Sequence, residues 1–333
     1  MATMDDIALA LGVSKSAVSK SFSGARDVSP KTRQMVLEKA AELGYTRPAR
    51  QTRQGTIAVF VINMEYEKPE DFGYDIISGF RKAAEAGGYK MKLVPLNLNL
   101  QLEYRYDDYM KARDYCGGLF LGLDLLCPWL RELASSRTPA VLYDNPAAGN
   151  PTVTQVGVDN AEGMELAVKY LKSLSHERIG YLSGTLNSYV YRQRYEAFFR
   201  AMQENGLTAD FELMGHADHT SECLSQHLPR LLEQGCTAIV CSHDTLAHSV
   251  MVHCAERGLR IPEDLSILGY DDIPLCRYTT PPLTTIRQDR TSLGKGAFYA
   301  LSSQFNRVRL STHLLHPELV KRGSCAAPAK KEQ

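Results

Sequence analysis

MATMDDIALALGVSKSAVSKSFSG (1–24) reads as two short helices joined by a glycine-centred turn. Thr3 is placed to cap the first helix, with Asp5 and Asp6 in its positive first turn. Met4, Ile7, Ala8 and Leu11 recur at helical spacing and form one apolar stripe. Gly12 ends that stripe, since glycine alone takes a left-handed turn without strain. Ser14 then caps a second helix, with Ala17, Val18 and Phe22 facing inward and Lys15, Ser16, Ser19 and Lys20 facing out. Small Ala8, Gly12 and β-branched Val18 suit two helices that cross closely. The pattern predicts a helix-turn-helix whose second helix enters the DNA major groove. Any two amphipathic helices would satisfy the apolar pattern as a plain helical cap; the Ala/Gly/Val spacing and the basic outer face favour DNA.

Charge is distributed as that reading requires. The 333-residue chain has no formal net charge, yet residues 1–55 hold nine Lys/Arg against five Asp/Glu. A basic head on a mildly acidic body suits a protein whose head alone meets phosphates. The eight cysteines are scattered, without a CxxC pair or a metal-like cluster, and read as reduced core residues. Neither a metal nor another cofactor is implied. With no signal peptide and no bilayer-length apolar run, a cytoplasmic protein without a membrane partner is expected.

A third helix opens at Ser29-Pro30, with Val36, Ala40 and Leu43 on one face and Gly44 as its stop. The basic stretch 47–55 reads as a hinge or linker after a head of residues 1–46. From residue 56 strands alternate with helices. Strand runs fall at 56–62, 89–96, 117–123, 139–144, 178–184, 211–216, 237–242 and 265–271, and amphipathic helices at 75–88, 161–174, 195–206 and 246–258. Such alternation predicts an α/β core of two doubly wound parallel-sheet halves over 56–323, with ligands held at strand carboxyl ends between them. Residues 324–333 read as a disordered tail.

Six motifs in order carry a family resemblance: DDIALALGVSKSAVSKSFSG (5–24), VSPKTRQMVLEKAAELGY (28–45), VGVDN (156–160), RYEAF (194–198), HDTLA (243–247) and ILGYDDIP…PPLTTIRQD (267–289). With them the chain resembles the lactose-repressor (LacI/GalR) family of bacterial transcription regulators along nearly its whole length. The resemblance implies a helix-turn-helix head, a hinge and a periplasmic-binding-protein-like core, crossed by the chain near 156–160, 283–286 and 314–320. It implies a homodimeric regulator that binds double-stranded operator DNA and is controlled by a small polar effector, with a sugar or sugar acid as the expected class.

Lys15, Ser16 and Lys20 match the positions from which such a recognition helix reads base edges, Lys donating to guanine O6/N7. Ser14 and Ser19 are better placed for phosphates, which fix register. In the hinge, Ala49-Arg50 stands for the family's Ala-Arg pair, and Arg50 is expected at DNA. Thr52 falls where a minor-groove Leu wedge belongs, and the stretch is shorter, so weaker DNA bending is expected.

For the effector, Arg194 opens RYEAF at an expected helix start, a guanidinium fork suited to hydroxyls or a carboxylate. Asp271 and Asp144 each end an apolar strand, where hydroxyl-accepting carboxylates belong. His243, His219 and Phe72 depart from the family's common residues and are further candidates, Phe72 from a long acidic loop. As isolated residues, each also fits an ordinary surface or core role. The competing functions are a sugar-processing enzyme or a sugar-binding protein on the same core; no GxGxxG, P-loop or G-x-S-x-G elbow supports the first.

Overall fold

Helix caps written into the sequence build the head. In α1 (Met4–Leu11), the Thr3 hydroxyl accepts the Asp6 N–H at 3.3 Å while the Asp6 carboxylate accepts the Thr3 N–H at 2.8 Å. Gly12 closes the helix at φ 63°. Ser14 Oγ accepts the Ala17 N–H at the start of α2 (Lys15–Ser23), and Ser29 Oγ accepts that of Thr32 in α3 (Pro30–Glu42), each at 3.1 Å. Ile7, Ala8, Val18, Val36 and Ala40 bury one small core between the three helices. Leu43 lies outside it, 38% exposed, because α3 ends at Glu42; Tyr45 packs there instead, its ring 5.6 Å from that of Phe22.

The computed structural model describes residues 3–23, 28–43, 45, 55–146 and 149–329, and the chain divides into compact units Met1–Thr52 and Arg53–Gln333. Of the hinge 47–55, only Gly55 is among the described residues, so Ala49, Arg50 and Thr52 lie outside them.

The core alternates strand and helix. Its first part runs β1 (Thr56–Val61), α4 (Phe72–Ala86), β2 (Lys90–Pro95), α5 (Leu98–Glu103), α6 (Tyr106–Ala112), β3 (Tyr115–Leu121), α7 (Pro128–Leu133), β4 (Ala140–Tyr143) and β5 (Val153–Val158). Its second runs α8 (Asn160–Ser173), β6 (Ile179–Ser183), α9 (Tyr189–Glu204), β7 (Met214–His216) and α10 (Thr220–Glu222). A π-turn, Cys223–His227, leads on to α11 (Leu228–Glu233), β8 (Ala238–Cys241), α12 (Asp244–Glu256), β9 (Ser266–Asp271) and β10 (Thr284–Arg287). The chain then returns with α13 (Arg290–Phe305) and β11 (Thr312–Leu315) before ending in β12 (Glu318–Val320).

One six-stranded sheet has the order β11-β5-β4-β3-β1-β2, the other β12-β10-β9-β8-β6-β7. Every pairing is parallel except that of β10 with β12. Each sheet reverses its winding at its first strand, between β1 and β3 and between β6 and β8, which opens a crevice at the strand carboxyl ends. Apolar clusters cover both faces of both sheets. We call the halves the N-lobe and the C-lobe. The chain passes between them after β5, between β10 and α13, and between β11 and β12. Among the described residues no helix is long and apolar enough to cross a membrane. All eight cysteines are free, six of them buried.

Two expectations need correction. The run 211–216 yields a strand only at Met214–His216. Of the expected tail 324–333, the described start is docked rather than loose: Ser324 is fully buried, its hydroxyl donating to the Ile267 carbonyl at 2.6 Å and accepting the Thr284 N–H at 2.8 Å. Its own carbonyl takes the Ile267 N–H, and His176 reaches the Ala326 carbonyl at 2.8 Å.

Helices α4 and α13 cross so closely that a Cβ on Gly79 would stand 2.2 Å from the Thr291 carbonyl oxygen, and one on Gly294 2.0 Å from that of Ile76. A helical Gly→Ala change ordinarily gains about 1 kcal/mol. Gly294→Ala is predicted to lose about 1–3 kcal/mol by forcing these helices apart. Thermal denaturation checks it; a melting temperature equal to or above wild type would refute the close crossing.

Candidate functional site

Arg194 organises the crevice. It is the sixth residue of α9, since that helix starts at Tyr189 rather than at the RYEAF motif, and it is 2% exposed. A buried guanidinium must have its donors met. Nε donates to Asn160 Oδ1 at 2.9 Å; Nη1 donates to the Ser242 carbonyl at 2.6 Å and to Asp271 Oδ1 at 3.3 Å. Its plane lies 3.6 Å from the Tyr270 ring centroid. Nη2 takes no bond among the described residues.

Asp271 ends β9 at φ 116°, a strained backbone for a residue with a side chain. Gln288 Nε2 donates to its Oδ1 at 2.6 Å, and Gln288 Oε1 accepts the Tyr143 hydroxyl of the N-lobe at 3.3 Å. Burial raises the Asp271 carboxyl above the usual carboxylate range, against the pull of Arg194. Beneath it Asp244, 1% exposed, accepts Thr285 Oγ1 at 2.6 Å and the Ile273 N–H at 3.0 Å. Burial, followed by the Asp271 charge, pushes Asp244 up to about 7.

From the N-lobe, Asp144 follows β4 at φ 53°, with burial pushing its carboxyl up to about 6 against the opposing field of Arg194. Gly157 makes room for it: a Cβ there would stand 2.4 Å from Asp144 Oδ1. Phe72, at the first turn of α4, has its ring 6.5 Å from that of Tyr143, with the Arg290 guanidinium 5.3 Å from its centroid.

His243 precedes α12, its ring stacked on Tyr191 at 5.1 Å and 15°, with Nδ1 2.9 Å from Ser242 Oγ. Burial and the nearby Arg194 charge depress it to about 4, so it is neutral at pH 7. This pair walls a cavity of about 190 Å³ that Ser183, Gly184, Asp218 and Thr220 also line. His219 is exposed and does not line it; as the residue before α10 it supplies only a carbonyl to the turn, and its neighbours face the cavity.

Arg194, Asp271, Asp144, His243 and Phe72 therefore gather around the crevice, while His219 lies at its rim. Sequence reasoning missed Asn160, Tyr191, Asp244, Gln288 and Arg290. Asn160, Asp244 and Gln288 stand inside quoted motifs, but their neutral or mid-motif positions carry no signal for the crevice without the fold.

In the head, Lys15, Ser16 and Lys20 are exposed on α2, and Ser19 is half-buried. Ser14 is exposed and engaged as the helix cap. Lys15 Nζ pairs with Asp5 at 2.6 Å; such an exposed pair is worth about 0–1 kcal/mol.

The Asp144 shift gives a pH test. Its carboxyl is raised in the folded state, so protonation favours folding, and that benefit is lost as pH rises from about 4 through about 6. Asp144→Asn, which removes the charge and tolerates positive φ, is predicted to raise the melting temperature at pH 7.5. The gain should vanish near pH 4. A variant destabilised equally at both pH values would contradict the burial of this charge.

The comparisons agree with this architecture. The description "Bacterial regulatory proteins, lacI family" matches residues 3–48, and "Periplasmic binding protein-like domain" matches 168–325. The chain is 31% identical to the transcriptional repressor CytR of Escherichia coli over 336 residues, covering 98% of this chain and 97% of CytR. It is likewise 31% identical to the transcriptional regulator MalR of Streptomyces coelicolor, covering 97% and 96%. A complex of the regulator CelR with cellobiose superposes with a TM-score of 0.70 at 25% identity, over 97% of this chain and 100% of that one. The lac repressor dimer bound to operator and the anti-inducer ONPF gives 0.67 at 25%, over 98% and 99%. The chain belongs to the LacI family of bacterial regulatory proteins and is a DNA-binding regulator of transcription rather than an enzyme.

Proposed function

We propose that this chain is a homodimeric repressor whose affinity for a roughly palindromic operator is set by a neutral, sugar-like effector in the crevice between the lobes. On this reading Lys15, Ser16 and Lys20 of α2 read base edges, Ser14 and Ser19 meet phosphates, and Arg50 follows the backbone or minor groove. One short helix reads few bases, so two copies on two half-sites are needed for specificity.

The observation that carries the effector class is the pairing of Arg194 with Asp271. The guanidinium is already matched by a carboxylate, His243 is neutral, and Asp144 adds negative charge from the facing lobe. A crevice of alternating donors and acceptors without surplus positive charge suits hydroxyls better than a carboxylate or phosphate. The neutral sugar is therefore favoured over the sugar acid. Arg194 Nη2, Asp271, Asp144 and His243 would bind hydroxyls, and Phe72 would cover a ring face. Cellobiose in the CelR complex, and ribose bound to a LacI-family regulator of Enterococcus faecium, are ligands of this class in similar folds.

Fluorescence anisotropy on the natural operator tests both halves. Lys15→Ala and Lys20→Ala are each predicted to cost about 1–3 kcal/mol of specific binding per half-site. Wild-type affinity in both would remove α2 as the reading helix. With D-ribose, cellobiose and D-gluconate added in turn, the neutral sugars are the ones expected to shift operator affinity. Asp271→Asn should raise the effective sugar concentration about tenfold or more while leaving operator binding intact. A response to gluconate alone would overturn the neutral class, and an unaltered response in Asp271→Asn would overturn the site.

A further inference from the structure

Arg290 is the crevice's least satisfied cation. It is 9% exposed, yet its bonds are long: Nη1 donates to the Asp271 carbonyl at 3.4 Å and Nη2 to Asp75 Oδ2 at 3.3 Å. Nε is buried with no partner. Arg194 is almost equally buried, yet its Nε and Nη1 bonds to Asn160 and Ser242 are 2.9 and 2.6 Å. A guanidinium held this way sits where its bonds are exchangeable.

Its position says what those bonds connect. Arg290 is the first residue of α13, and the Gly79–Gly294 crossing locks α13 to α4, which carries Asp75 and Phe72. Arg290, Asp75 and Phe72 thus move together with the N-lobe. The carbonyl that Nη1 reaches is that of Asp271, at the end of β9 in the C-lobe. That carbonyl belongs to the φ 116° residue, and its other donor is the Gln288 N–H at 3.5 Å.

We propose that Arg290 is a positioning residue that latches the lobes together: held by Asp75 and Phe72, it grips the Asp271 carbonyl and keeps that residue's carboxylate aimed at Arg194. The inference deepens the effector reading, since Asp271 is the residue it positions. A nearby contact reports the latched state. The Leu125 N–H, just after β3 in the N-lobe, donates to the Asn187 carbonyl, just before α9 in the C-lobe, at 3.1 Å.

Hydrogen exchange on the full chain, with no ligand added, tests the latch whatever the effector proves to be. Arg290→Met keeps the length of the side chain and removes its donors. It is expected to speed exchange of the Leu125 amide roughly three- to tenfold while the amides of β1 and β8 keep wild-type protection. Arg290→Lys should restore part of the protection, and Asp75→Asn, a milder change at a half-exposed residue, should accelerate Leu125 less, in the same direction. If Arg290→Met does not fold, Asp75→Asn decides alone. Unchanged Leu125 exchange in the variants that fold, or equal acceleration of β1 and β8, would overturn the latch. A sugar response that fails while Leu125 behaves as expected would fault the effector reading and leave the latch standing.

Discussion

A guanidinium taken out of water must be given its hydrogen bonds back, and the C-lobe is arranged to do that for Arg194. Its Asn160 partner comes from α8, the Ser242 carbonyl from the end of β8, Asp271 from the end of β9 and the Tyr270 face from within β9. Three elements from distant parts of the sequence are thereby fixed to α9 at one point. Asn160 is itself held, donating to Gln193, which donates to the Tyr189 hydroxyl. Gly163 belongs to the same arrangement, because a Cβ there would stand 2.4 Å from the Tyr270 hydroxyl and lift α8 from the sheet. Removing the arginine side chain would strand a buried carboxylate and a carbonyl, so Arg194 carries structural weight whatever it binds.

The strand ends around it carry the strain. Asp144, Asp271 and Asp272 all have positive φ; Asp271 ends the buried parallel strand β9, and Asp144 and Asp272 directly follow β4 and β9. Asp272 is tied to Arg287 at 2.7 Å and to Arg322, the residue that leads from β12 into the docked terminal segment. The backbone next to the crevice is therefore continuous with the last crossing between the lobes. The strained backbone of Asp271 and Asp272 is thus held by salt bridges on both sides, to Arg194 and to Arg287 and Arg322.

How much of this could be read from residues alone follows the range of the interaction. The caps at Thr3, Ser14 and Ser29 and the turn at Gly12 are decided within four residues, and each took its expected form. Fully buried β5, VTQVGV, was missed because Thr154, Gln155 and Gly157 interrupt its apolar run, while the parallel strands β1, β3, β4, β6, β8 and β9 were legible as apolar runs buried on both faces. The short β10, β11 and β12 were not: TTIR, THLL and ELV gain their order from neighbours contributed by other parts of the chain. Arg194 and Asp271 stood out through motif resemblance, whereas Arg290 became visible only once α13 was seen to cross α4. His219 was singled out by its family position, and a one-residue difference in that loop turns a side chain from cavity to solvent, as Asp218 and Thr220 line the cavity and His219 does not.

A ligand shifts an equilibrium between lobe arrangements only through the difference in its affinity for them. The protein groups bonded to Arg194 all belong to the C-lobe, so a ligand held by Arg194 alone would bind every arrangement alike and regulate nothing. On the proposed effector reading, coupling comes from groups contributed across the crevice: Asp144 after β4, Phe72 on α4, and Tyr143 through Gln288. Their spacing relative to Asp271 changes when the lobes move, and that of Arg194 does not. That reading assigns affinity and regulation to different residues. A substitution at Asp144 or Phe72 that keeps most of the binding can still remove the response, whereas one at the Arg194 pair removes both.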